Sequence, residues 1–143
     1  MSTQPMTAPT SHERFLRVAI ALQTLTIFFQ AVSAGLLLTA HYGETLHSVG
    51  ARVMYGAAML YVLAAVLAWK PGGASPRQIW YATGFLALAS AQVVLGIKHV
   101  SEVHVPLGVT MFALSVLALA FRWVGTTKSS PSGGTSRPKA GGV

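Results

Sequence analysis

Four long apolar segments, separated by three short polar breaks, make up most of this chain. They run approximately over residues 15–40, 47–69, 78–98 and 104–123. A helix rises 1.5 Å per residue, so about 20 residues cross the hydrocarbon core of a bilayer. Each segment is therefore long enough to span a membrane. We predict an all-α fold, an integral membrane four-helix bundle formed by residues 15–124.

The two ends of the chain lack apolar segments of this kind. Residues 1–14 are rich in Ser, Thr and Pro, and residues 125–143 are dominated by Ser, Gly, Thr and Pro. Segments with so few apolar side chains cannot bury enough surface to fold. The sequence predicts that both are disordered tails, and that His12, in the first of them, is solvated.

Composition supports a membrane protein and excludes several kinds of site. Charged residues make up 9% of the chain and apolar residues 52%, whereas a soluble domain is about 25% charged. The expected partner of the helices is therefore the lipid bilayer. The chain has no Cys, which excludes disulfides, thiolate metal sites and cysteine nucleophiles.

The positions of the positive charges predict the orientation of the bundle. Eight of the ten Lys and Arg residues lie in or beside the two tails and the middle break, and only Arg52 and Lys98 lie near the other two breaks. Cytoplasmic flanks of membrane helices carry the excess of such residues. We predict a multi-pass protein of the plasma membrane with both termini in the cytoplasm. This topology accounts for the net charge of +7, and no nucleic-acid partner is predicted.

The two outer breaks contain most of the histidine and acidic residues of the chain. Four of the five His and two of the three Glu lie there: His41, Glu44, His47, His99, Glu102 and His104. Neutral imidazole is a common ligand of heme iron, Zn and Cu. The pattern predicts a cofactor site at the outer face of the membrane.

The two halves of the chain resemble each other, which predicts a pseudo-twofold repeat of two helical hairpins. Helices two and four align from their first histidine, and the matched residues share one helix face. These are His47, Ala51, Met54 and Ala58 on helix two, and His104, Gly108, Met111 and Ser115 on helix four. An imidazole followed by a small residue and a polarizable Met suits a flat porphyrin. The alternative is that the small residues mediate helix packing and the Met residues belong to the core.

We therefore assign His47 and His104 as the axial ligands of a b-type heme between helices two and four. His41 and His99 form a second pair, which could ligate another metal centre, receive heme propionates or be ordinary loop residues. Arg52 lies deep enough to need an acidic partner.

The partner predicted for Arg52 is a heme propionate, with Glu44 or Glu102 as the alternative. Gln30 and Gln92 each share a helix face with a histidine of the following break. A glutamine inside a membrane span needs a polar partner. Gln30 and Gln92 are predicted to line the cofactor pocket or, alternatively, to form interhelical hydrogen bonds.

The chain resembles one four-helix half of the heme A synthase family. The resemblance covers roughly residues 15–123 and lies in Gln30…Gly35…Glu44-Thr45-Leu46-His47 and in Gln92…Gly96…His104. It implies heme b ligation by His47 and His104, and it makes Glu44 a candidate catalytic proton carrier. The chain departs from the family in having a single half, Ser48 where an Arg usually follows the first ligand, and no outer-loop cysteines. These departures argue against heme A synthesis, so the sequence assigns no enzyme activity.

Three functions remain open from the sequence. The first is heme binding for electron transfer or heme handling, with other membrane redox subunits or a quinone as further partners. The second is a cofactor-free accessory or scaffold subunit, in which the histidines are structural. The third is an outer-face Zn or Cu site formed by the four His and two Glu.

Overall fold

The computed structural model describes residues 10–124, which form four α-helices. They are α1 (Ser11–Leu37), α2 (Gly43–Trp69), α3 (Arg77–Ile97) and α4 (Ser101–Val124). All four are long and apolar enough to cross a membrane. The prediction of an all-helical membrane protein with four long apolar helices is therefore confirmed. Residues 1–9 and the tail predicted at 125–143 lie outside the described residues.

The helices pack in a ring, with consecutive helices antiparallel. Each helix contacts the next one along the chain, and α4 closes the ring against α1. The helices α2 and α4 consequently lie diagonally across the bundle. The end that contains the connections 38–42 and 98–100, where α2 and α4 begin, is named the histidine end. The opposite end, which contains the connection 70–76, is named the arginine end.

The helix α1 begins earlier than the sequence predicted. The Thr10 hydroxyl caps it by accepting a hydrogen bond from the backbone N–H of Glu13 at 3.3 Å. A Thr three residues before a Glu is a common start signal for a helix. The predicted disordered tail is therefore wrong for residues 11–14.

The two histidine-containing breaks are also shorter than predicted. Because α2 begins at Gly43 and α4 at Ser101, His47 and His104 lie in the first two turns of their helices. The loops themselves are only residues 38–42 and 98–100. A histidine in a helical turn has its backbone fixed, which orients its side chain more firmly than a loop would.

The two connections at the histidine end are closed differently. Gly43 is buried, and a Cβ at this position would overlap the backbone carbonyl of Leu36. In the other connection His99 adopts a positive φ of 54°. The N–H of Val100 then donates to the Leu95 carbonyl at 3.0 Å, a bond typical of helices that end in a left-handed residue.

Burial is uneven among the four helices. The core consists of small alanines around a few large side chains, including Leu16, Ile20, Met54, Tyr61, Phe85 and Met111. Among the described side chains of α4, only Met111 and Ser115 are buried. The Ser115 hydroxyl lies 2.5 Å from that of Thr24 and ties α4 to α1. The helices α1 and α2 therefore form the well-buried part of the bundle, and most of α4 is exposed.

Candidate functional site

The imidazoles of His47 and His104 lie beside each other at the histidine end. Their ring centroids are 6.2 Å apart and their planes are inclined by 69°. Both side chains are half-buried. They project from diagonally opposite helices, so the pair lies across the interior of the bundle.

The ring of His47 is oriented by α1. Its Nδ1 lies 3.0 Å from the Ser33 hydroxyl, and that hydroxyl donates to the Gln30 carbonyl at 3.1 Å. When the Ser33 hydroxyl gives its one proton to that carbonyl, its oxygen accepts from Nδ1–H of His47. This pair of hydrogen bonds favours the tautomer with the proton on Nδ1 and a lone pair on Nε2.

The ring of His104 is oriented by α3 in the same tautomer. Its Nδ1 lies 3.1 Å from the main-chain carbonyl oxygen of Gln92, and a carbonyl can only accept. Gly96 lies close to the ring, since a Cβ there would be 3.4 Å from Cε1 of His104. The imidazole therefore lies against α3 at Gly96, at a distance where an added Cβ would make an ordinary van der Waals contact.

The two rings therefore present the same free atom. Within residues 10–124, neither Nε2 has a hydrogen-bond partner. Histidines that bind metal usually donate their other ring N–H to an oxygen in this way. Two imidazoles on opposite sides of one metal atom have centroids about 6.4 Å apart, from bonds of about 2.0–2.1 Å and a ring radius of about 1.15 Å. The observed centroid distance of 6.2 Å is close to this value.

The two predicted glutamines lie next to the imidazole pair. The amide of Gln30 donates to the backbone carbonyl of His47 at 3.3 Å, which is the interhelical hydrogen bond given above as the alternative. The side chain of Gln92 is buried, and its Oε1 has no hydrogen-bond partner in the described part of the chain. Gly108 gives it room, because a Cβ there would be 2.8 Å from Nε2 of Gln92.

The residues predicted to lie below the histidines point into the bundle. Met54 and Met111 are buried, and Ala51 and Gly108 are half-buried. Farther from the histidine end, Ala58 and Ser115 are also buried. The matched helix faces of α2 and α4 are therefore both turned inward, as the spacing predicted.

The other predicted ligands do not join the pair. His41 and His99 lie in the two connections and are exposed, as are Glu44 and Glu102 in the first helical turns. Across residues 10–124 there is no group of three or more His, Asp or Glu side chains that could hold a metal ion. The structure therefore does not assemble the Zn or Cu site that four His and two Glu would form.

Arg52 also lies away from the pair. Five residues separate it from His47, which places it about 140° around the helix. Its side chain is exposed. The structure does not bring it to the imidazoles.

Sequence reasoning missed Ser33 and gave Gly96 no structural role. Ser33 lies one turn after Gln30 and is fully buried, so a polar helix face that includes both was the available signal. The carbonyl of Gln92 has no such signal, because every residue has a carbonyl.

Within residues 10–124, His47 and His104 line neither of two clefts that open between helices. One, of about 660 Å³, lies between α1 and α2 and is lined by apolar side chains, Thr26 and Gly50. The other, of about 700 Å³, lies between α3 and α4 near the arginine end and has polar groups at one end.

No protein-family model, curated protein or solved structure matches the chain. The resemblance to one half of the heme A synthase family therefore stays a prediction from short motifs.

Proposed function

We propose that this multi-pass membrane protein binds b-type heme at the histidine end, with His47 and His104 as axial ligands. The observation that carries the proposal is the pair of half-buried imidazoles, each held by its Nδ1 and each with a free Nε2. Bound heme would supply one-electron redox chemistry, which suits electron transfer or heme handling. The proposal includes the orientation predicted from charge, with both termini cytoplasmic and the histidine end outside.

Each residue near the pair has a defined task in this proposal. Ser33 and the Gln92 carbonyl fix the rings so that little ordering is needed when the iron binds. Met54 and Met111 close the interior below the site and exclude water. The pseudo-twofold repeat predicted from the sequence would give a symmetric ligand equivalent contacts from α2 and α4.

A second function, a cofactor-free accessory subunit, is favoured by the exposed side of α4. Large apolar side chains cover that side, including Val105, Val109, Leu117 and Phe121. Lipid or a partner helix could cover them. In that case Ser33 and Gln92 would only satisfy the polar groups of two structural histidines.

A visible spectrum separates the two functions. The full chain is expressed with ample heme, purified in detergent, and measured oxidised and then reduced with dithionite. We expect a Soret band that shifts on reduction and resolved α and β bands. The variants His47→Ala and His104→Ala should each lose most of the bound heme, because a low-spin iron needs both ligands.

The matched controls are His41→Ala and His99→Gly, which change the exposed histidines of the same two breaks. Both should retain the wild-type spectrum. A colourless wild-type protein that is monodisperse and helical would contradict heme binding and support the accessory subunit. Retention of the spectrum by His47→Ala or His104→Ala would contradict the assigned ligands.

A further inference from the structure

The groove between α3 and α4 at the arginine end has a long apolar wall that opens to the membrane. Tyr61 of α2 forms part of its lining, and its volume is about 700 Å³. The wall is formed by Trp80, Gly84, Leu88, Leu114 and Leu117. Leu114 and Leu117 are exposed, so lipid chains can reach the groove from the side.

Several hydrogen-bond donors line the groove at the arginine end of the bundle. The Tyr61 hydroxyl donates to Oε1 of Gln78 at 3.3 Å. Within residues 10–124 the Gln78 amide NH₂ has no acceptor. Arg122 is half-buried in the same lining and is close enough to Tyr61 to act on it electrostatically. A guanidinium and an amide NH₂ thus line the groove, and no acceptor within residues 10–124 uses their donors.

No carboxylate of the described chain neutralises Arg122. Glu102 lies in the first turn of the same helix, and 20 residues at 1.5 Å place it about 30 Å away. Glu13 lies in the first turn of α1, at the arginine end, and within residues 10–124 it forms no ion pair with Arg122. Lys70 and Arg77 lie at the same end of the bundle as Arg122. The positive charge and the free donors favour an anion at this end of the groove, and the apolar wall favours an alkyl chain.

We propose that the groove binds an anionic phospholipid. Its phosphate accepts from Arg122 and Gln78, and one acyl chain lies along Gly84, Leu88 and Leu117. Guanidinium pairs well with phosphate because it offers two parallel N–H donors. Basic pockets between membrane helices are known lipid-headgroup sites. The proposal does not depend on heme binding.

The test is native mass spectrometry of the delipidated full chain in detergent, titrated with phosphatidylglycerol or with phosphatidylcholine of the same acyl chains. Phosphatidylglycerol should bind more tightly. In Arg122→Gln its affinity should fall about fivefold, the effect of about one lost basic side chain near an anionic lipid. The control Arg14→Gln removes an exposed charge near the same end of the bundle, outside the groove, and should leave the affinity unchanged.

A second pair of variants tests the apolar wall without changing charge. A Cβ at Gly84 or at Gly56 would meet no atom within 4 Å, so a side chain can start at either position without overlap at its first carbon. Gly84→Leu fills the groove and should lower the affinity for phosphatidylglycerol several-fold. Gly56→Leu, on α2 outside the groove, should leave it unchanged. All four variants should keep the wild-type visible spectrum and helical content, so the lipid result is read independently of heme.

Three outcomes would overturn the proposal. Equal affinity for the two lipids would mean that only unspecific boundary lipid is bound. Unchanged binding in both Arg122→Gln and Gly84→Leu would place the lipid elsewhere. Competition by inorganic phosphate alone, or preferential binding of a quinone in the groove, would assign it to another class of ligand.

Discussion

The two hairpins of this bundle hold equivalent imidazoles by different means. In the hairpin of α1 and α2, a side-chain hydroxyl, that of Ser33, accepts from His47. In the hairpin of α3 and α4, the main-chain carbonyl of Gln92 accepts from His104. Both rings end in the same tautomer. The two histidines therefore look alike, but only one of the two acceptors that orient them can be removed by mutation. That acceptor is the side-chain hydroxyl of Ser33, because a main-chain carbonyl such as that of Gln92 is present in every residue.

The hairpins differ in their closure as well. The first is closed by the contact between Gly43 and the backbone of Leu36, and the second by the left-handed conformation of His99. In the first connection there is no room for a side chain at Gly43. In the second connection His99, which does have a side chain, adopts a strained left-handed backbone conformation. Three substitutions, taken in order of expected effect, test these differences.

The largest effect is expected at the closure of the first hairpin. Gly43→Ala places a methyl group against the Leu36 carbonyl, and the backbone must move to admit it. Overpacking of this kind costs about 3 kcal/mol at its upper range. Circular dichroism during unfolding in mixed SDS micelles measures the loss.

Gly56→Ala is the control for this substitution, because a Cβ there meets no neighbouring atom. It should be at least as stable as wild type, since Ala has the higher helix propensity. If Gly43→Ala were as stable as Gly56→Ala, the tight contact would not be what closes the first hairpin.

The next effect is expected at the support of His47. In Ser33→Ala the hydroxyl acceptor is lost, so the His47 ring should no longer be fixed with its proton on Nδ1. Nitrogen NMR of histidine-labelled, heme-free protein reads this tautomer directly. If the protein binds heme as proposed, the affinity should fall about tenfold or more, as for other supports of metal-binding histidines.

The matched change in the second hairpin is Gln92→Met, which removes the amide but keeps the main-chain acceptor. The tautomer of His104 and the heme affinity should stay at the wild-type values. A loss in Gln92→Met equal to that in Ser33→Ala would mean that the side chain of Gln92, and not its carbonyl, supports the site.

The smallest effect is expected at His99 and has the opposite sign. A non-glycine residue in the left-handed region is strained by roughly 1–2 kcal/mol, and glycine relieves most of that strain at some cost in chain entropy. His99→Gly should therefore be about 1 kcal/mol more stable in the same SDS unfolding experiment.

His41→Gly is the control for His99, since His41 lies in the other connection and has no positive φ. It should be slightly less stable than wild type because glycine adds freedom to the unfolded chain. Equal stability of the two variants would show that His99 is not strained.

The four helices could be predicted from the sequence because the bilayer itself requires apolar segments of about 20 residues with few charges. Sequence reasoning also selected His47 and His104, whose matched positions on two helix faces do bring them together. For His41 and His99 it left three alternatives open, and their exposed positions in the connections agree with that of ordinary loop residues. His41 lies in a loop, and His99 is a turn residue that ends α3.

Helix starts were missed for local reasons. The sequence estimate placed each boundary where the apolar run began, but polar residues also form the first turn when a cap or a tight turn precedes them. Thr10 supplies such a cap for α1. The shift matters for function, since it moves His47 and His104 from the predicted first residue of each helix to the fifth residue of α2 and the fourth residue of α4.

The supports described for the two imidazoles have a consequence for how the protein could be assembled. Ser33 and His47 belong to one hairpin, and Gln92 and His104 belong to the other, so the orientation of each ring is encoded locally. A chain cut within the connection 70–76 would leave each fragment with one oriented histidine. Such fragments are natural candidates for complementation, in which two separately inserted halves meet in the bilayer and restore the pair.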